Sequence, residues 1–191
     1  MKLKINIIDT IQNCDYTINP LESDDFENVE FINCTFNSIA NINFSDCVFK
    51  NCNLSNVKMH NTKFQNVAFY DCKIIGAKFN ESKDFGFSAV FVNCNLEYAS
   101  FDKKKLYKSG FKDCKLHHAN FTQSDLSKSA FVNCDFLGSI FNTTNLSGVD
   151  FSNSSNFSID PTINQVKKAK FSANDLASLL QKFEIVVVWR V

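Results

Sequence analysis

From Phe91 onward a large apolar residue stands at every fifth position: Phe91, Leu96, Phe101, Leu106, Phe111, Leu116, Phe121, Leu126, Phe131, Phe136, Phe141, Leu146 and Phe151. Two residues before most of them sits a small one, among them Ala89, Cys94, Ala99, Ser109, Cys114, Ala119, Ser124, Ser129, Cys134 and Ser139. A period of five fits neither an α-helix nor a flat strand. It fits a square coil in which each pentapeptide forms one side and turns its large central residue and the small one before it inward. Four sides make twenty residues, and that longer period is visible too. The quartets 91–94, 111–114 and 131–134 read Phe-Val-Asn-Cys, Phe-Lys-Asp-Cys and Phe-Val-Asn-Cys. Earlier copies begin at Phe69, Phe49, Phe31 and Ile11, and a faded one begins at Phe151. These eight rungs, spaced like neighbouring strands at ~4.8 Å, predict a rod roughly 35–40 Å long.

Two steps break the period. Phe31 to Phe49 is eighteen residues and Phe69 to Phe91 is twenty-two, which places slips near 37–43 and 80–90. The second slip puts Asp84 where a core residue is due and brings Phe85, Gly86 and Phe87 together. A kink or short bulge is expected there, with about four coils on either side. The expected organisation is a repeat domain over 1–158, opened by an N-terminal strand at 1–10, and a cap and dimerisation segment over 159–191.

In that segment Ser172 and Asp175 resemble a capping box, and Leu176, Leu179, Leu180 and Phe183 follow as one apolar stripe. An amphipathic helix covering the last coil is expected, since an open β-helix end invites polymerisation. Beyond it, Ile185, Val186, Val187, Val188 and Trp189 are too apolar to be left in water. They form either a short strand tucked against the helix or, with Phe183, a homodimer interface.

Composition narrows the function. Of 191 residues 21 are Phe but only 5 are Gly and 2 Pro, fewer breaks than a sandwich or barrel would carry. Twenty basic and twenty acidic residues balance, so a general nucleic-acid binder is not expected. No apolar run approaches a membrane span, and the N-terminus has no signal-peptide core. A soluble cytoplasmic protein with eight reduced Cys is expected.

The Cys are the tempting chemistry. Cys14, Cys34, Cys52, Cys72, Cys94, Cys114 and Cys134 should stack in one inward column, within disulfide Cα range of each other. Packing explains them as small hydrophobes beside the Phe31, Phe49, Phe69, Phe91, Phe111, Phe131 and Phe151 column, and Cys47 sits equivalently on another side. Ligands converging in close pairs, as zinc needs, are missing from the pattern, so no metal or other cofactor is expected. The preceding Asn13, Asn33, Asn51, Asp71, Asn93, Asp113, Asn133 and Asn153 form a polar ladder suited to a tight corner. Of the three His, His60, His117 and His118, the pair His117–His118 falls on outward positions of one coil side. Because the repeat fills the interior, no catalytic pocket and no enzyme activity are expected. Lys104 is the anomaly: it occupies an inward small-residue position and is expected to bulge its side of the coil and snorkel outward.

The five-residue pattern over roughly 11–158 resembles the pentapeptide-repeat family. The layout of a short N-terminal strand, interrupted coils and a C-terminal tail is similar to its microcin-immunity and quinolone-resistance members. This resemblance implies an all-β fold, a right-handed quadrilateral parallel β-helix dimerising through its C-terminus. It also implies protection of a type II topoisomerase, DNA gyrase, by DNA mimicry, hence antibiotic resistance against quinolones or peptide toxins. The partner is then a protein, with no direct nucleic-acid or membrane contact. The alternative is a structural interaction solenoid with a non-topoisomerase partner. Charge weakens full mimicry, since duplex DNA of this length offers on the order of 20 net charges. Only residues 9–30, with seven acids and no Lys or Arg, are clearly negative.

Overall fold

A computed structural model describes residues 3, 5–106, 109–186 and 188. The chain winds into a parallel β-solenoid. Short strands from successive coils pair side by side, so each coil contacts mainly its neighbours. On the first face seven strands form one sheet: Asp9–Gln12, Val29–Ile32, Val48–Lys50, Val67–Tyr70, Ala89–Val92, Gly110–Lys112 and Ala130–Val132. Their register aligns Ile11, Phe31, Phe49, Phe69, Phe91, Phe111 and Phe131.

The Phe rings of this column stack nearly parallel. Centroids are 4.9 Å apart for Phe31–Phe49, 5.0 Å for Phe69–Phe91 and 4.8 Å for Phe111–Phe131. The column runs past residue 158, because Phe151 stacks on Phe131 and Phe171 on Phe151, with Asp150 bridging Lys170 in parallel. The other three faces carry matching columns. Phe36, Leu54, Ile74, Leu96, Leu116 and Phe136 line the second; Ile39, Met59, Phe79, Phe101, Phe121 and Phe141 the third; Phe44, Phe64, Leu106, Leu126 and Leu146 the fourth. All are buried, and edge-to-face contacts such as Phe91–Phe101 join the columns across the rod.

The corners explain the polar ladder. Asn13, Asn33, Asn51, Asp71, Asn93, Asp113 and Asn133 all have left-handed backbone, with φ between 52° and 56°. Asn and Asp tolerate that region because their short side chains find local hydrogen bonds. Here they also bond along the rod: Asn133 Nδ2 donates to Asp113 Oδ1 at 2.8 Å and Asn33 Nδ2 to Asn13 Oδ1 at 3.1 Å. Asn153 lacks this conformation, and the left-handed turn moves to Asn156 as the quartet pattern fades.

The register of the coils breaks at two points. Phe36 pairs with the Asn53 rung and Thr35 bridges Asn53 eighteen residues on, whereas Ser38 bridges Lys58 twenty residues on. The second coil is thus two residues short around that point. The second slip adds two residues to the fourth face between Ser82 and Ser88.

The ends differ from expectation. Leu3 and Ile5–Ile8 form no strand; the first begins at Asp9. Leu3, Ile5 and Ile7 instead line a groove with Val48, whose outward side chain is buried. The C-terminal helix is 3-10 rather than α, over Ala173–Leu179 and Gln181–Phe183. Ser172 caps it by accepting from Asn174 N, and bonds such as Leu180 N to Ala177 O close three-residue turns. A period of three splits the expected 3.6-residue stripe into two ridges, Leu176 with Leu179 and Leu180 with Phe183; of the first pair Leu179 packs on the core while Leu176 stays half exposed. Ile185, Val186 and Val188 are not in a strand.

Candidate functional site

The Cys column lies inside. All eight Cys are free; seven are buried and Cys14 is half-buried. Each buried thiol donates to backbone carbonyls, as Cys52 Sγ does to Phe31 O at 3.4 Å and Lys50 O at 3.3 Å. Burial pushes the thiols of Cys72 and Cys94 well above their usual range and that of Cys47 to about 11. From Cys34 to Cys134 the thiols of this column are buried packing material.

The outer faces are the remaining surface. On the second face Glu97, Lys115, His117 and Asp135 form a network that sequence reasoning missed. Lys115 Nζ lies 2.9 Å from Glu97 Oε1, and His117 Nε2 lies 2.7 Å from Asp135 Oδ2. Residues twenty apart become neighbours one rung apart, so only the fold brings Glu97, His117 and Asp135 together. Bonds from Asn95 and then Lys115 hold the Glu97 carboxyl below its ordinary range. Asp135 is also low: burial opposes ionisation, but His117, Asn156 and the Leu137 amide outweigh it. At the adjacent corner the His118 ring stacks on Tyr98 at 5.0 Å. Gly138, at φ +70°, follows in that column, where a Cβ would stand 2.5 Å from His118 Nδ1. Among the described residues no cluster of His, Cys, Asp or Glu is placed to hold a metal.

Concavities are shallow. One, of about 730 Å³, is an open groove between the last coil and the C-terminal segment, lined by residues including Leu137, Phe157, Ala177 and Ile185. The segment is tied down by Lys182 Nζ to Asp160 Oδ2 at 2.7 Å and Ser158 Oγ to Gln181 Oε1 at 2.8 Å. Of the expected interface residues, Phe183, Ile185, Val186 and Val188 are all exposed, Val186 most at 87%. Val187 and Trp189 lie outside the described residues.

Lys104 departs from expectation. It does not snorkel: at 1% exposure it is the only charged residue that is buried among the described residues. Its Nζ donates to Ser82 O at 2.7 Å and Lys83 O at 3.1 Å, and lies 3.0 Å from Asp84 Oδ1. It also sits over the Phe87 ring, 4.8 Å from the centroid. Burial lowers its pKa and the Asp84 carboxylate opposes the shift. Among the described residues no helix is long and apolar enough to cross a membrane.

Comparison with known proteins agrees with this architecture. A family model described as a pentapeptide repeat region matches residues 24–101, 87–160 and 104–179. No curated protein sequence matches the chain. A solved structure of a trypsin-treated, singly substituted form of QnrB1, a plasmid-mediated fluoroquinolone resistance protein, is similar at 23% identity and TM-score 0.56, covering 99% of this chain and 96% of that one. A second trypsin-treated form of QnrB1, carrying a different substitution, is similar at 24% identity and TM-score 0.54, covering 94% and 87%. The three overlapping family-model matches span the solenoid almost from end to end, and the chain belongs to the pentapeptide-repeat family.

Proposed function

We propose that this rod is a non-enzymatic cytoplasmic binding protein that protects a type II topoisomerase, DNA gyrase, against a quinolone or a peptide toxin. The observation that carries the reading is the end-to-end correspondence in fold with QnrB1, itself a fluoroquinolone resistance protein. A filled interior leaves recognition to the outer faces and ends. Charge localises the DNA-like part: residues 9–46 hold eight acids and no Lys or Arg, so the first coils present the negative end. The exposed apolar residues Phe183, Ile185, Val186 and Val188 support a homodimer joined at the C-termini.

Purified protein added to a gyrase supercoiling reaction containing a fluoroquinolone should restore supercoiled product. No restoration at a roughly tenfold molar excess over gyrase would remove the reading. The alternative, an interaction solenoid for another protein, is favoured by ion pairs that neutralise the faces across rungs, such as Lys50–Glu30 and Lys170–Asp150. It predicts an unaltered gyrase reaction.

A further inference from the structure

The fourth face has a regular backbone ladder, interrupted at one rung. Lys63 N donates to Ile42 O, Lys83 N to Thr62 O, Asp125 N to Lys104 O, Asn145 N to Ser124 O and Gln165 N to Thr144 O. The member due between Lys105 N and Ser82 O does not occur among the described residues. There the two inserted residues push the chain out, and Asp84–Phe87 closes as a turn, with Phe87 N donating to Asp84 O at 3.2 Å and Gly86 at φ +75°. Two carbonyls, Ser82 O and Lys83 O, are thereby left facing the gap, and they are the ones Lys104 Nζ bonds. Elsewhere this inward column carries Ile42, Thr62, Ser82, Ser124, Thr144 and Asn164, and the hydroxyls among them bond backbone carbonyls. Only a longer donor reaches across the bulge. The same turn carries Phe87 inward to 4% exposure and throws Phe85 out to 88%.

We propose that Lys104 is an internal clamp whose ammonium replaces the missing ladder bond and fixes the Ser82–Phe87 bulge in the conformation that holds Phe85 out as a preset contact for a protein partner. The clamp has three kinds of ligand: two carbonyls, the carboxylate of Asp84 and the face of Phe87. Such a set specifies one geometry for the turn, and Lys104 acts as a positioning residue for Phe85. A buried, charged donor is costly to leave unpaired, so the bulge and the lysine stabilise each other or fail together. An aromatic ring presented on a fixed turn needs little ordering when a pocket takes it, which favours it as an anchor. The contact role rests on the topoisomerase reading above; the clamp does not.

Hydrogen exchange at neutral pH tests the clamp. Lys104→Met keeps the apolar stem and removes the donor, and should speed exchange of the Phe87 and Ser88 amides at least tenfold while the 111–136 rungs stay unchanged. Asp84→Asn weakens one exposed ligand and should give a smaller increase, and it serves if the Met variant does not fold. Wild-type exchange in the bulge of both variants, or of Asp84→Asn alone where the Met variant is unfolded, would overturn the clamp. The gyrase–fluoroquinolone assay tests the contact. Phe85→Ala should leave bulge exchange unchanged yet require at least tenfold more protein for half-maximal rescue, with Phe85→Leu closer to wild type. Equal rescue by Phe85→Ala would overturn the contact role. Wild-type protein without any rescue removes the topoisomerase reading and that role with it, while exchange still decides the clamp.

Discussion

The first and fourth faces of the same solenoid are held by different physics. On the first, identical Phe rings stack through every level from Phe31 to Phe171, and Asn or Asp corners repeat beside seven of the rungs. On the fourth, stacking stops after Phe64, the small-residue column turns polar, and a buried ammonium spans a broken ladder. The registers nonetheless realign beyond the break: Phe69 pairs with Phe91 on the first face, and Lys105 bridges Asp125 twenty residues on at the fourth. A solenoid side can therefore lose its regularity if its neighbours keep theirs, because each coil is fixed on four faces at once. The difference divides the molecule into a regular face and an adaptable one.

That division is most directly broken at the first face. Phe111 is fully buried and stacked on both sides, 5.0 Å from Phe91 and 4.8 Å from Phe131. Phe111→Ala should cost about 3–5 kcal/mol, read by denaturant unfolding, because neighbouring rungs cannot collapse into the space. Leu126→Ala on the fourth face should cost less, about 2–3 kcal/mol, since a smaller side chain is removed and no ring stack is broken. Equal costs would erase the distinction between the faces.

Acid should separate the two ends of the rod. Hydrogen bonds from Ser152 hold Asp150 below its ordinary range, and bonds from Asn95 and then Lys115 do the same for Glu97. Asp135 and Asp160 are low despite burial that opposes it, through His117 and Lys182 respectively. A carboxylate whose folded pKa is depressed adds stability that is complete above its unfolded value near 4, and is lost as pH falls through the folded value. Four of these five depressed carboxylates lie from Glu97 onward; only Asp15, lowered by Thr17, lies in the first coils. Amide exchange, taken relative to its intrinsic rate at each pH, should rise first in the C-terminal half between about pH 5 and pH 2. A uniform rise would show that these contacts do not set acid stability.

Much of this was legible in the sequence because a five-residue period assigns every position an inward or outward direction. The four columns, the corner ladder and both slips follow from counting alone. Lys104 did not, since a lysine at an inward position reads as one seeking solvent. What satisfies it is a pair of carbonyls twenty-one and twenty-two residues earlier, freed by a backbone break that no side-chain pattern encodes. The Glu97–His117–Asp135 network was hidden for a related reason: its members meet only across rungs. At the C-terminus, Leu176, Leu179, Leu180 and Phe183 satisfy either a 3.6 or a split three-residue period. Docking against the last coil, through Lys182 and Gln181, accompanies the tighter winding. Phe171 stands twenty residues after Phe151, but the Asp160–Pro161 interruption conceals that rung.

The corners give the finest test of regular against adapted sides. Asn133, at φ +53°, bonds Asp113 one rung away, so Asn133→Ala should cost about 1 kcal/mol by losing both the bond and a residue suited to left-handed backbone. Thr143 is the mirror case on the third face, a β-branched residue at φ +52° that bonds only the preceding carbonyl, Asn142 O, at 2.7 Å. Branching at Cβ is poorly accommodated there, and Asn is the residue found most often at the other left-handed corners. Thr143→Asn should therefore raise stability by about 0.5 kcal/mol, near 1–2 °C in Tm for a chain of this size. A fall in Tm would mean that the hydroxyl bond outweighs the backbone strain, and that corners on the adapted sides follow rules of their own.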